Sequence, residues 1–494
     1  TIRRSGARDV AELLRLVPGY LLGGINGAFP MAAYHAPLDE YGVHNLVFVD
    51  GRSVYSSYFL GDTQRGMMAV QVDDVERIEV LRGANSAAYG ANAMFGVINI
   101  VTRNAADSLG QEVQLNTGSA GLNDARASLG WGDGDAAHRL SFAQREDSGY
   151  AGAVDDRRLR LLDWRSDLRP ASDQSLMLRA GASELAAGRA DDPSDPSRTV
   201  QWRDWYLQGR WQRQLAPDSQ LQISADFTNE SYTDRTTVPY PYYLHGLTDY
   251  LKGVVTWDTG VLDYSGSARR SNLELQHQLG LGAGLRAVWG LGWKAEQAES
   301  WTLFTNRDPV TYHENRAFGH LEWRPTERWT ANAGVFLGDH SRIGSYVAPR
   351  LMLNHHFTPD HTLRFGVNRS LRTNTLLELA GDVRYYSQQG KPLRRNWPGN
   401  PAIQPEVLHS QEVSYFGNIR PLHLTVDVRA YRERVTGMVG SIDNPAFKVP
   451  SFTMWPDPDT PESLLDNLKA FTVRGLEYQL NWSMSEGSRL QWQQ

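Results

Sequence analysis

The chain has no cysteine, no long apolar run and no marked excess of charge of one sign. Because Cys is absent from all 494 residues, disulfide bonds and thiolate metal sites are excluded. No window contains the run of about 18 apolar residues that a membrane-spanning helix needs, so a membrane-embedded form of this chain would be a closed sheet. The formal net charge is only −6, and no basic patch with interleaved aromatic residues indicates nucleic-acid binding.

Aromatic residues are plentiful, with 15 Trp and 21 Tyr, as the two interfacial girdles of a membrane barrel would require. The mean hydropathy of −0.47 and the hydrophobic content of 41% are typical of a soluble protein. A membrane β-barrel can have the same composition, because only every second residue of each strand faces lipid. The composition is therefore compatible with a soluble protein and with a membrane β-barrel.

From Leu109 onward, apolar and polar residues alternate in long segments. In one of them, Leu424, Val426 and Val428 share a face, while Asp427 and Arg429 lie on the other. About seventeen such segments occur, each near the length of about ten residues that a tilted strand needs to cross the apolar band. Short turns alternate with long connections, as in outer-membrane barrels. A large soluble β-sandwich or propeller is the alternative, but the repeat of about 40–50 residues that a propeller requires is not visible.

The first 108 residues have a different pattern. Asp9 is expected to cap a short helix that Pro18-Gly19 ends. Strands are expected at Leu46–Val49, Glu76–Val80 and Val97–Val101. The pattern predicts a small α+β domain over residues 1–108, followed by a β domain over residues 109–494. Thr1 opens in mid-pattern and Gln494 ends inside an alternating segment, so we expect the first part of the small domain and the last strands to be missing.

Several motifs carry a family resemblance across essentially the whole chain. The amino-terminal ones are IRRSGARDVAELLRLVPGY, LVFVDGRSVY and DVERIEVLRGANSAAYGANAMFGVINIVTR. The later ones are Ala348-Pro349-Arg350, SLRTNTLLEL from Ser370, NPAIQPE over Asn400–Glu406 and RGLEYQLNW from Arg474. With these motifs the chain resembles a TonB-dependent outer-membrane receptor. It departs from the family pattern at Ala84, where Pro is usual, and at Leu371–Asn374, where Phe-Arg-Ala-Pro is usual.

The resemblance implies a fold and a function. The fold is a transmembrane antiparallel β-barrel with an N-terminal α+β plug domain in its lumen; family barrels have about 22 strands, of which about seventeen are expected here. The function is TonB-dependent active transport across the Gram-negative outer membrane of a scarce, bulky ligand, a ferric siderophore or another metal chelate. The alternatives are a receptor for cobalamin or another nutrient, or a passive or adhesive barrel with a structural plug.

The resemblance also implies partners and surroundings. They are TonB with its inner-membrane energising complex, a metal chelate or similar small molecule, and outer-membrane lipid. The loops are then extracellular and the turns periplasmic, and the protein is a monomer without enzymatic activity, cofactor or nucleic-acid partner.

Two barrel carboxylates are expected to hold the plug. The strand pattern places Glu477 and Glu412 on the lumen face, opposite the apolar residues of their segments. In the family, glutamates at these motif positions pair with plug arginines, and the matching arginine here is Arg82. The resemblance thus implies a latch formed by Arg82, Glu412 and Glu477. The alternative is that these are ordinary solvated charges of a wet lumen.

Ligand-binding residues are expected in two outward-facing plug loops, by analogy with the family. These loops, residues 26–37 and 54–66, carry the candidates Phe29, Met31, Tyr34, His35, Tyr55, Tyr58 and Phe59. A second candidate surface is the segment 240–250, with Tyr242 and Tyr243. An aromatic surface with hydrogen-bonding groups suits a bulky chelate. The alternative is that the plug aromatics pack against the barrel wall and that the second surface is part of a girdle.

Other motifs carry little weight. His355, His356 and His361 lie at a predicted turn, where spacing alone is weak support for a metal site. The acidic segment 191–195 lacks the EF-hand pattern. No Ser/His/Asp set with a family spacing is present, so neither a catalytic residue nor a metal site is predicted.

Overall fold

The structure is a computed structural model. It describes residues 2–36, 39, 41–58, 60–189, 195, 197–240, 258–304, 308–447, 457, 459–485 and 487–493. Within them, no helix is both long and apolar enough to cross a membrane.

The first hundred residues form short helices and two small sheets. The helices are α1 Val10–Leu13, α2 Gln64–Met68 and α3 Ser86–Tyr89, with 3-10 turns at Arg3–Ser5, Leu14–Leu16, Val72–Asp74 and Ala105–Ser108. The strands are β1 Tyr20–Gly24, β2 Pro30–Tyr34, β3 Asn45–Val49, β4 Arg52–Ser53, β5 Val75–Arg82 and β6 Gly96–Thr102.

These elements enclose a hydrophobic core of their own. Strands β1 and β2 form an antiparallel pair, and the second sheet has the order β4-β3-β6-β5, with β3 and β6 parallel. The continuous apolar run of β6 is buried on both faces, with Val97, Ile98 and Ile100 almost inaccessible. Burial of that run orders the centre of this domain, as the sequence pattern predicts.

Twenty strands and one helix follow in the described residues. The strands are β7 Gly110–Thr117, β8 Asn123–Gly132, β9 Ala136–Asp147, β10 Arg157–Ala171, β11 Gln174–Gly188, β12 Thr199–Ala216, β13 Ser219–Tyr240, β14 Asp258–Asp263, β15 Gly266–Gly282, β16 Leu285–Glu299, β17 Val310–Thr326, β18 Trp329–His340, β19 Gly344–Thr358, β20 His361–Arg372, β21 Asp382–Ser387, β22 Pro392–Pro398, β23 Glu406–Ile419, β24 Leu424–Asp443, β25 Ser463–Ser485 and β26 Ser488–Gln493. The helix is α4 Leu376–Ala380, and a 3-10 turn lies at Arg420–Leu422.

The main sheet is an antiparallel barrel. All these strands except β14, β21 and β22 pair with their neighbours in chain order, which makes seventeen strands in the described residues. The other three form a small sheet on the end of β13. The predicted mainly-β barrel with an amino-terminal α+β domain is confirmed, including the expected number of barrel segments.

The apolar face of the barrel points outward. On β16, Trp289, Leu291 and Trp293 each remain about half exposed, whereas Glu296 on the same strand is buried inside. Similar large apolar side chains are exposed along β8, β9, β18 and β20. A belt of exposed apolar residues of this extent is typical of a surface that contacts lipid.

The small domain, the plug, lies inside the barrel. Its polar contacts reach strands on every side of the wall. They include Arg8 with Asp124 on β8, Asp50 with Arg179 on β11, Asn85 with Arg350 on β19, Ser86 with Ser370 on β20, His44 with Glu406 on β23 and Tyr34 with Glu477 on β25. The barrel therefore surrounds a folded domain and is not an open pore.

Candidate functional site

Arg82, at the end of plug strand β5, reaches the barrel wall. Its Nη1 donates to Oε2 of Glu477 on β25 at 3.2 Å, and its Nη2 donates to Oδ2 of Asp427 on β24 at 2.7 Å. Two barrel carboxylates thus share one plug guanidinium, and such charge-assisted hydrogen bonds are about twice as strong as neutral ones. The structure brings Arg82 and Glu477 together.

Glu412 pairs with a barrel arginine. Its Oε2 accepts a hydrogen bond from Nε of Arg429 on β24 at 2.8 Å. The same guanidinium donates to the hydroxyl of Tyr34 at 2.7 Å and to Glu433 at 3.2 Å. Arg429 is therefore the residue that joins Glu412 to the plug. The sequence offered a signal for it, because Arg429 lies on the polar face of an alternating segment.

The end of plug strand β2 completes the site. The hydroxyl of Tyr34 donates to Oε2 of Glu477 at 2.9 Å, and the Tyr34 side chain is fully buried. The ring nitrogens of His35 lie 2.7 Å from Glu433 and 2.7 Å from Glu477. The His35 ring is stacked between Tyr34 and Tyr431, with centroid distances of 3.9 and 4.2 Å. We call this set the latch network: Tyr34, His35, Arg82, Glu412, Asp427, Arg429, Glu433 and Glu477.

Replacing Tyr34 by Phe is expected to weaken the plug's attachment by about 1–3 kcal/mol, because Arg429 and Glu477 lose a buried hydrogen-bond partner. Tyr20→Phe is the matched control, since its ring stacks on Tyr34 but its buried hydroxyl has no hydrogen-bond partner among the described residues. The chain has no native cysteine, so Ala33→Cys on β2 places a single buried thiol in the plug. Its reaction with a maleimide in urea is the plug-release assay. Equal urea midpoints for both Tyr variants would contradict the expectation.

Gly83 follows Arg82 and lies against the latch network. It has a φ of +84°, and a methyl group added there would lie 2.5 Å from Nη2 of Arg429. Gly51, with a φ of +89°, carries a similar backbone strain but would meet no atom within 4 Å. Gly83→Ala is therefore expected to lower the free energy of plug release by about 1–3 kcal/mol more than Gly51→Ala. The added methyl group displaces Nη2 of Arg429, which donates to Glu433, and this cost adds to that of the positive φ that both variants share. The plug-release assay measures the difference, and the same loss in both variants would refute it.

A second charged cluster holds the amino-terminal end of the plug on another part of the wall. Asp9 accepts from Arg145 on β9 at 3.0 Å and from Arg157 on β10 at 2.9 Å. Arg8 donates to Asp124 at 2.7 Å and to Asp147 at 2.8 Å. We call these six residues, Arg8, Asp9, Asp124, Arg145, Asp147 and Arg157, the amino-terminal clamp.

The expected helix cap at Asp9 is not made. Asp9 precedes α1 but makes no side-chain capping hydrogen bond, because its carboxylate binds the two barrel arginines. Burial alone would raise the pKa of Asp9, but Arg145 and Arg157 outweigh it and lower that pKa below its ordinary value. The carboxylate is thus held in its charged form.

A third buried charge lies at the turn after β3. The carboxylate of Asp50 accepts from Arg179 on β11 and from the side chain and backbone N–H of Thr102. Burial would raise the pKa of Asp50, but the charges of Arg179 and Arg165 lower it below its ordinary value. Lumen-facing arginines of β9–β11 thus bind plug carboxylates at two places.

The aromatic ligand candidates are packed against the wall in this structure. Tyr58 is fully buried, and its hydroxyl donates to the carbonyl oxygen of Tyr264 at 2.5 Å. Phe29 is buried, and the guanidinium groups of Arg65 and Arg189 lie 5.6 and 5.5 Å from its ring centroid. Such cation–π contacts are favourable when desolvated.

The remaining candidates have varied surroundings. Tyr55 is buried beside a cavity of about 210 Å³ between plug and barrel, which charged residues of β13 and β15–β17 also line. Met31 is half-buried, and Tyr34 and His35 belong to the latch network. Phe59, Tyr242 and Tyr243 lie outside the described residues. In the part of the chain that the structure covers, no group of three or more His, Asp or Glu side chains is arranged to hold a metal ion.

A barrel with an apolar outer face and a folded amino-terminal domain in its lumen is the architecture of plugged outer-membrane receptors. Residues 1–97 match the family model for the TonB-dependent receptor plug domain, and residues 131–493 match the model for the TonB-dependent receptor-like β-barrel. The chain belongs to the TonB-dependent receptor family.

Several known proteins are similar to it. An iron-regulated outer membrane virulence protein of Vibrio cholerae is 25% identical over 464 residues, which cover 87% of this chain and 64% of that protein. A vitamin B12 transporter, BtuB, of Vibrio vulnificus is 21% identical over 460 residues, covering 89% of this chain and 66% of the transporter. The chain thus spans about two thirds of the length of these relatives.

A solved structure shares the fold. The crystal structure of a mutant ferric enterobactin receptor, PfeA, of Pseudomonas aeruginosa has a TM-score of 0.78 at 16% sequence identity, covering 99% of this chain and 77% of PfeA. At this identity the likeness establishes the architecture, a plug within a barrel.

Proposed function

We propose that this protein carries out TonB-dependent active transport of a scarce, bulky ligand, a ferric siderophore or another metal chelate, across the outer membrane of a Gram-negative bacterium. TonB and its inner-membrane energising complex are the proposed energy source. The long connections of the barrel face the exterior and the short turns face the periplasm.

The plug held by buried charges is the observation that carries the proposal. Nothing as large as a chelate can pass while the plug occupies the lumen, so the plug must move. The latch network holds it on β23–β25, and the amino-terminal clamp holds it on β8–β10. Separating one partner of a buried ion pair costs about 3–5 kcal/mol, so an external energy supply suits this barrel better than spontaneous opening.

The amino-terminal clamp lies where a pulling force would first act. Along the chain Asp9 precedes the plug residues of the latch network, so a pull from the amino-terminal side of Asp9 would reach Arg145 and Arg157 before that network. We propose that the clamp yields first and the latch network later. The Arg82–Glu477 contact then serves as a latch rather than as ordinary lumen charge.

Iron chelates are the favoured ligands. The V. cholerae relative is named for its regulation by iron and aligns over most of this chain. Phe29, Met31, Tyr55 and Tyr58 are the proposed ligand contacts of the plug, and they would become available as the plug rearranges. Tyr34 and His35 have a different proposed role, in retaining the plug.

Cobalamin is the second candidate ligand, favoured by the alignment with the V. vulnificus B12 transporter over most of the chain.

The test of the proposed function is uptake by cells that express the complete protein as their only receptor. Radiolabelled ferric enterobactin, ferrichrome and cyanocobalamin are offered, with and without a protonophore. Accumulation of a ferric chelate that stops with the protonophore is expected. Accumulation of cyanocobalamin alone would select the second candidate, and uptake insensitive to the protonophore would contradict active transport.

A further inference from the structure

His35 has an unusual set of partners. Its Nδ1 lies 2.7 Å from Oε2 of Glu433, and its Nε2 lies 2.7 Å from Oε1 of Glu477. A neutral imidazole has one N–H and one bare nitrogen, so it can donate to only one of two carboxylates. The other nitrogen lone pair would then face a carboxylate oxygen without a proton between them. Both contacts are favourable only when the ring carries two protons and a positive charge.

The charge balance of the latch network leads to the same conclusion. Its well-buried carboxylates are Glu412, Glu433 and Glu477, and they face two guanidinium groups, those of Arg82 and Arg429. Among the groups in direct contact, a neutral His35 would leave three buried carboxylates against two guanidinium groups. Asp427, which is a third exposed, also shares Arg82, and Arg350 acts on Glu412 only at longer range. A charged His35 makes the buried set neutral, and burying an unpaired charge is costly.

The groups that face His35 come from both domains. From the plug they are Tyr34 on β2 and, through Glu477, Arg82 on β5. From the barrel they are Tyr431 and Glu433 on β24 and Glu477 on β25, with Arg429 and Glu412 behind them. The two stacked tyrosine rings also suit a cation, because each presents the negative face of its π-system.

We propose that His35 is held as an imidazolium ion that bridges Glu433 and Glu477, and that loss of one of its protons weakens the plug's attachment to the barrel. His35 is then a positioning residue of the plug and a proton-sensitive element of the latch network. The inference concerns plug retention alone, so it stands or falls independently of the ligand and of TonB.

The direction of the pH effect follows from linkage. Burial would lower the pKa of His35, but its hydrogen bonds to Glu433 and Glu477 outweigh burial and raise that pKa above its ordinary value of 6.5. A group with a raised pKa in the folded state contributes its full stability below the ordinary value and loses it as the pH rises through the folded value. Plug retention is therefore expected to weaken on the alkaline side of 6.5.

The test is the plug-release assay on the complete protein at about pH 6 and about pH 9. Each labelling rate is divided by that of the denatured protein at the same pH, which removes the titration of the thiol itself. In the protein whose only change is Ala33→Cys, the corrected labelling rate is expected to be higher at about pH 9 than at about pH 6. The increase is about tenfold for each unit by which the folded pKa of His35 exceeds its ordinary value. A corrected rate that does not change between the two conditions would overturn the proposal.

Two variants at this site separate protonation from simple contact. His35→Gln is expected to label at the fast alkaline rate under both conditions, because it cannot gain the second proton. Glu433→Gln is expected to abolish the pH step, whatever corrected labelling rate it shows at about pH 6. Its amide can donate to Nδ1 of a neutral His35 while its oxygen still accepts from Arg429. A persistent pH step in Glu433→Gln would refute the bridge even if His35→Gln proved unstable.

His44 provides a matched control in the same plug. Its Nε2 lies 2.8 Å from Glu406, and its Nδ1 has no hydrogen-bond partner among the described residues, so His44 does not bridge two carboxylates. His44→Gln should therefore leave the pH step intact. Loss of the step in His44→Gln would show that the titrating group is not His35.

Discussion

Replacing Arg429 by Ala is expected to weaken the plug's attachment to β23–β25 strongly. One guanidinium group serves Glu412, Glu433 and Tyr34, and it is almost completely buried. Its removal leaves Glu412 without its ion-pair partner and Glu433 with only His35. Because the uncompensated carboxylates stay buried, we expect a loss of about 3–5 kcal/mol in the free energy of plug release.

The measurement is the urea midpoint of the plug-release assay. Arg434→Ala is the control, since Arg434 lies on the same strand but is exposed. Its free energy of plug release, calculated from the midpoint, should stay within about 0.5 kcal/mol of the native value. Cells that carry Arg429→Ala should also admit antibiotics that are too large for porins. A native midpoint for Arg429→Ala would mean that Arg429 does not contribute to plug retention.

The second large effect is expected at the other end of the plug, in the variant Asp9→Asn. Arg157 keeps Asp147 as a partner, but Arg145 is left in contact with neutral acceptors only, namely backbone carbonyl groups and the amide oxygen of the new side chain. A guanidinium group this deeply buried without a counter-charge should cost about 3–5 kcal/mol. The amino-terminal part of the plug should therefore open while the latch network still holds the rest.

A thiol introduced by Ala11→Cys on α1 reports this local opening, since Ala11 is buried. It should react at much lower urea in Asp9→Asn, while the thiol of Ala33→Cys should change less. Glu76→Gln is the control, because it removes the same charge from an exposed plug residue. The folded pKa of Asp9 is lowered, so the native protein should show the same local opening when the pH falls through that value. Uniform release of both thiols would contradict an independent clamp.

Periodicity explains why the architecture was predictable. A barrel strand exposes every second residue to lipid, so segments such as Leu285–Glu299 alternate regardless of what fills the lumen. The buried run of β6 and the turn at Asp50-Gly51 likewise carry local signals of strand and turn. These properties belong to short stretches of chain and need no knowledge of distant partners.

Which side chains pair within the site is decided by residues that are far apart in the sequence. Arg82 and Glu477 were paired through family motifs, whereas Arg429 was visible only as one of many polar lumen residues. Asp9 was expected to cap a helix, because nothing nearby in the sequence reveals that Arg145 and Arg157 lie beside it. The bridging of two carboxylates by His35 requires three segments to meet, and no pattern within one segment can predict it.

The conductance of single molecules in a planar lipid bilayer tests most directly whether a plug held by buried charges closes this barrel. The complete native protein is expected to stay closed. The double variant Asp9→Asn, Arg429→Ala, which disrupts both the amino-terminal clamp and the latch network, is expected to open large channels. A native protein that conducts as an open pore, or a double variant that stays as closed as the native protein, would contradict the account.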